Sequence, residues 1–263
     1  MEQIDYASMA NFISDNLRLK TFPLSVKFLQ NPEEFPDKTR QPSITLKKRI
    51  TICQGVTLAR VYGWTVGLTK EDLICVPAMI AFGFSDTSEP AEPLCNLFDE
   101  IELASDKESA RKEVSSMCLA TTGAFEAVLL APLAKGLVEP DTVAIFGNPA
   151  QVMRMIQALV YADGARITGN FGGKVECTEY LMAPFINDAP RAAIPGNGDR
   201  IFSMTQDDEM VLSIPGRYLP SLCEGLKNAG RAIGAKYPVT FYQNYQPKFP
   251  PNYMKLGKDL GLF

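Results

Sequence analysis
V-A-I-F-G-N-P-A-Q-V-M-R, from Val143 to Arg154, has the plainest structural grammar in the chain. Its leading apolar residues read as a buried strand that ends at Gly147. Asn148 then suits a helix N-cap, because its short side chain can accept from a backbone amide a few residues on. Pro149 suits the first helical position, where no amide hydrogen bond is lost. The helix should run to about Tyr161. Helical periods and short apolar runs recur on both sides of this unit, so the expected fold class is α+β, with mixed helices and sheet in one compact domain.

Upstream, Met9, Phe12, Ile13 and Leu17 fall at helical spacing within residues 5–17, and residues 23–29 alternate like a half-buried strand. Asn31 to Pro42 holds three prolines among charges and reads as a surface loop. Glu92 to Ala120 has a helical pattern, and Phe125 to Leu133 forms a strand separated from 142–146 by a turn at Lys135-Gly136. A boundary near residue 121 would give the domain two lobes, although no flexible linker marks it. Downstream of Gly164, strand-like pieces at 166–168, 174–181, 191–194, 200–204 and 209–214 alternate with Gly, Asn and Pro turns. A final helix at about 217–233 precedes a Tyr- and Pro-rich tail expected to wrap the domain or a partner subunit, which brings in a homo-oligomer.

The chemistry-bearing stretch runs from Lys47 to Phe84. It reads as two helices, 50–62 and 70–82, divided by G-W-T-V-G at 63–67. In the first, Cys53, Val56, Thr57 and Arg60 share a face, since steps of three, four and seven return to one side of a helix. Thr69 with Asp72 supplies a capping signature for the second. Pro77 should kink that helix or confine it to the part after Val76, which places Cys75 beside a break where freed amides can bind a sulfur or an anion.

Composition removes whole classes of chemistry. The chain has no histidine among its 263 residues, which excludes Ser-His and Cys-His nucleophile pairs and the commonest zinc ligand. A net charge of -4 and a pI near 5.1 argue against nucleic acid as a partner. Glu2 and Asp5 follow Met1 without a charged-then-apolar leader, and the longest apolar region, Val128 to Ala134, is too short to span a bilayer. A cytoplasmic protein with no membrane partner is expected, its six cysteines reduced or acting as ligands.

Several motifs have plain readings. G-N-F-G-G-K, Gly169 to Lys174, is one residue short of a phosphate loop and has Val175 where a magnesium-binding hydroxyl belongs, so it reads as a hairpin turn. Gly147 lacks the further glycines of a dinucleotide fingerprint. Asp207-Asp208-Glu209 reads as a solvated turn rather than a magnesium or calcium loop. No C-x-x-C pair exists, so a metal site must be assembled from distant thiols. Cys75 at the proline break, Cys177 after the glycine turn and Cys53 near Arg49 and Arg60 are the best placed; Cys118 is the reserve ligand, and Cys95 and Cys223 read as ordinary helix-face thiols. Buried free cysteine is the competing reading for all of them.

The succession C-Q-G-V-T-L-A-R (53–60), I-C-V-P-A-M-I-A-F-G-F (74–84), V-A-I-F-G-N-P-A-Q-V-M-R (143–154), G-N-G-D-R (196–200) and D-D-E-M (207–210) resembles the domain-of-unknown-function 169 family of bacteria and archaea. The resemblance spans most of the chain, implies one continuous domain and carries over no catalytic residue. The family's common occurrence in anaerobes agrees with an oxygen-sensitive cysteine site.

Two functions follow as expectations. In the first, Cys53, Cys75 and Cys177 bind an iron-sulfur cluster or other thiophilic metal, with Arg60 balancing charge and a small-molecule or redox partner. In the alternative, the helix start at Asn148 joins Asp199 and Arg200 in binding a small acidic ligand without redox chemistry.

Overall fold
Strands from both sides of residue 121 hydrogen-bond into one sheet. A computed structural model describes residues 4–239 and 248–263; the part of the expected wrapping tail at 240–247 lies outside them. The six strands are β1 Leu24–Leu29, β2 Val66–Thr69, β3 Ala127–Pro132, β4 Thr142–Gly147, β5 Arg191–Ala193 and β6 Met210–Pro215. They form an antiparallel sheet in the order β2-β3-β1-β4-β6-β5. The helices are α1 Tyr6–Leu17, α2 Pro42–Thr45, α3 Ile52–Arg60, α4 Val76–Ala81, α5 Ala91–Glu100, α6 Lys107–Val114, α7 Pro149–Asp163, α8 Ala183–Ile186, α9 Asn197–Phe202, α10 Leu219–Asn228 and α11 Pro251–Asp259.

Helices cover both faces of this sheet. On β4, Val143 and Ile145 point into a core shared with α1, α7 and α10, while Ala144 and Phe146 point into a second core shared with α3, α4, α5 and α6. The alternation follows from the two-residue period of a strand. With both faces covered, β3 and β4 are buried at every position, which is why they read as continuous apolar runs. β1 is likewise buried rather than half-buried, apart from Lys27, whose ammonium reaches Asp141 at 2.7 Å.

The 143–154 unit folds as its sequence indicates. Asn148 accepts from the Gln151 amide while the Gln151 side chain accepts from the Asn148 amide, a reciprocal cap with Pro149 in the first turn. The expected helix at 70–82 is different. The capping box of Thr69 and Asp72 exists, but it closes one 3-10 turn, because the buried Asp72 carboxylate also accepts from the backbone and hydroxyl of Ser43. Val66 and Gly67, from the expected divider at 63–67, are instead drawn with Leu68 and Thr69 into the sheet beside β3. Gly67 is needed there, since a Cβ would stand 2.6 Å from the Phe35 ring. The helix proper starts at Val76 with Pro77 in its first turn.

Two further readings are corrected. Residues 174–181 are not a strand: Thr178–Met182 is a π-helical turn leading into α8. Residues 197–202 are helical as α9, where a strand at 200–204 was expected. Both segments carry apolar runs that satisfy either period, and packing against α3 and β4 decides between them.

Candidate functional site: a buried thiol and carboxyl centre
The site is built around the start of α9. Gly196 donates its amide to Asp199 Oδ2 at 2.9 Å, and the Tyr180 hydroxyl donates to Asp199 Oδ1 at 2.5 Å. Asp199 is only 4% exposed, and burial raises its carboxyl above the usual range against the pull of these hydrogen bonds. Gly198 presents its carbonyl to the Cys53 thiol at 3.6 Å, and Cys53 also meets the Thr51 hydroxyl at 2.9 Å. The helix face predicted for Cys53, Val56, Thr57 and Arg60 exists, and all four are buried.

Cys75 and Cys177 join this neighbourhood from two other elements. Cys75 occupies the N-cap position of α4, makes no side-chain capping hydrogen bond there and remains partly exposed. Cys177 precedes the π-helical turn and is buried. Burial raises Cys177 well above the usual thiol value, and the nearby Asp199 carboxyl and the neighbouring Cys75 and Cys53 oppose its ionisation further. Cys53 is pushed up to about 11, by burial first and then by Asp199. All three are therefore neutral thiols at physiological pH, poorly suited to act unaided as nucleophiles. Among the described residues, no three Cys, Asp or Glu side chains are gathered at metal-holding spacing.

The other expected participants sit elsewhere. Cys118 faces Glu179 and Arg191, on the wall of a separate cavity. Arg60 is 1% exposed and forms a two-pronged ion pair with Glu209, at 2.6 and 3.0 Å, beneath the Phe146 ring. Its charge still reaches Asp199, but its main partner is Glu209, which the sequence placed in a solvated turn. Arg200 donates to the Gln206 carbonyl at 2.6 Å. Asn148 is engaged by Gln151 and by the Tyr237 hydroxyl at 3.0 Å. The groups expected to hold an acidic ligand thus have partners within the chain.

Glu176 is the residue that sequence reasoning missed. The glycine-rich segment is no hairpin turn: the amides of Gly172 and Gly173 both donate to Glu176 Oε1, at 2.6 and 2.5 Å, so the loop cradles the chain's own carboxylate. Glu176 Oε2 is buried without a hydrogen-bond partner. Burial raises this carboxyl to about 7. Val175, next to it, has φ +55°, a strained conformation for a β-branched residue. Strain followed at once by a π-helical turn is a pairing that functional sites favour. The available signal was G-G-K-V-E-C itself, a carboxylate and a thiol set directly after a loop of free amides.

Fold and site together define an α+β protein with a buried centre of thiols and carboxyls. The chain belongs to the DUF169 family, described as "Uncharacterised ArCR", whose model matches residues 13–225. It is similar to the uncharacterized protein MJ0308 of Methanocaldococcus jannaschii, with 25% identity over 208 residues that cover 78% of this chain and 86% of that protein. No solved structure matches the chain. Among the described residues, no helix is long and apolar enough to cross a membrane.

Proposed function
We propose that this is a cofactor-binding protein in which Cys53, Cys75 and Cys177 take up a thiophilic metal or an iron-sulfur cluster, with a redox role. The observation that carries this reading is that Cys53, Cys75 and Cys177, from α3, the start of α4 and the residue before the π-helical turn, all lie within electrostatic reach of one buried carboxyl, Asp199. Burial and like charge keep the thiols protonated, whereas a coordinated soft cation deprotonates them outright and removes their mutual repulsion. Thiolates select such cations over magnesium or calcium. A cluster, being larger than a single ion, tolerates wider spacing of its ligands. Cys75, partly exposed, is the entry point, and Asp199 offers a carboxylate oxygen for a remaining position.

Anaerobic purification followed by iron, sulfide and visible-absorption analysis tests the reading. The expected result is a coloured protein with bound iron and sulfide, or a colourless one with stoichiometric zinc or copper. Either signal should disappear in the folded Cys53→Ser, Cys75→Ser double variant. Metal-free parent protein that also refuses iron-sulfide reconstitution, zinc and copper would sink the proposal.

A further inference from the structure
Glu176 points to a second site, independent of the thiols. Its carboxyl is 2% exposed, one oxygen is held by the Gly172 and Gly173 amides, and the other has no partner. With Glu179 it lines a cavity of about 260 Å³ between α6 and the glycine loop. Glu179 Oε2 also lacks a hydrogen bond, although Arg191 stands 3.5 Å away. A neighbouring cavity of about 280 Å³ shares the Asn170 and Glu179 walls.

The charges here do not cancel. Lys174 is paired with Glu113 at 2.8 Å, and Arg191 with Glu179. Glu176 is left as the carboxyl without a cation among the described residues. Two buried acceptor atoms without donors are costly, and a ligand that brings donors and one positive charge relieves both deficits. A divalent metal ion asks for six or more oxygen ligands, and no three carboxylates are gathered here to begin such a shell. We propose that this cavity binds a small organic monocation through a primary ammonium group held by Glu176 and Glu179.

The groups acting on Glu176 are Glu113 from α6, Lys174 and Glu179 along its own segment, the adjoining Cys177, and Asp199 from α9. Calorimetric titration of the full chain with ethanolamine, and with ethylene glycol as the uncharged counterpart, tests the proposal. Ethanolamine should bind and ethylene glycol should not. Glu176→Gln should weaken it by at least about tenfold, the loss of one charge-assisted contact. Equal binding of the glycol, no ethanolamine binding at millimolar concentration, or an unaffected Gln variant overturns the proposal. Should that variant not fold, Glu179→Gln decides: weaker ethanolamine binding is expected, and unchanged binding overturns the proposal. The Cys53→Ser, Cys75→Ser variant should keep the ammonium site, so the two proposals fail separately.

Discussion
The two faces of the sheet use the same strands for different ends. On the face covered by α1, α7 and α10, Asp5 and Asn148 cap α1 and α7 through their side chains, and Gly225 lets α10 pack closely on α7. Gln151 closes the α7 cap and donates to the Leu17 carbonyl at 2.8 Å. The face covered by α3 to α6 holds Val175 at positive φ, a π-helical turn, orphaned carboxylate oxygens and three thiols near one another. Stability built on one face can support strain on the other.

The largest effect should come from Arg60, which ties α3 to the turn before β6. Arg60→Ala leaves Glu209 buried and unpaired and should cost about 3 to 5 kcal/mol, read by denaturant unfolding. Replacing both partners with apolar residues should recover much of that loss. If the single variant is as stable as the parent, the ion pair does not lock the site face.

Glu176 separates the faces by pH. Its carboxyl titrates at about 7 when folded against an ordinary 4.5, so the folded chain holds the proton more tightly. Its contribution is full below 4.5 and is lost as pH rises through 7, by something on the order of 3 kcal/mol. Glu176→Gln should lose less stability than the parent between about pH 5 and about pH 8. Parallel pH profiles for the two proteins would count against a strained carboxyl.

On the opposite face, a Cβ at Gly225 would stand 2.0 Å from the Ala158 carbonyl. Gly225→Ala should therefore push α10 off α7 and cost about 2 kcal/mol, with the pH profile unchanged in shape. A shape change would mean that the faces are coupled.

The smallest shift expected is a gain. Val175→Gly removes the strain at φ +55° and should stabilise the fold by about 1 kcal/mol after the extra chain entropy of glycine is offset. The same variant should bind ethanolamine more weakly, because the glycine cradle of Glu176 loosens. Thermal unfolding and calorimetry together check it, and a destabilised variant would place the strain elsewhere.

Local grammar was legible wherever its partners lie within a few residues. The Asn148 cap, Pro149, the break at Pro77 and the shared face of Cys53 and Arg60 all stand as read. Glu209 was misread because its partner, Arg60, lies far off in sequence, and a turn of acids looks solvated until a buried cation is known. Glu176 was missed because the cradle of Gly172 and Gly173 depends on a left-handed bend at Gly173 and Val175 that no periodicity reports.

By itself, then, the sequence determined the α+β class, the capped helices, the apolar central strands and the absence of histidine chemistry, since these depend on composition and on neighbours along the chain. Tertiary structure alone decided that 66–69 would be a strand, that 178–182 would be a π-helical turn, and that Cys177 would lie within electrostatic reach of Cys53 and Cys75. Those outcomes depend on which surfaces meet across the sheet. A residue's burial is set by partners distant in sequence, and burial, here of Asp199, Glu176 and the thiols, is what shifts their protonation.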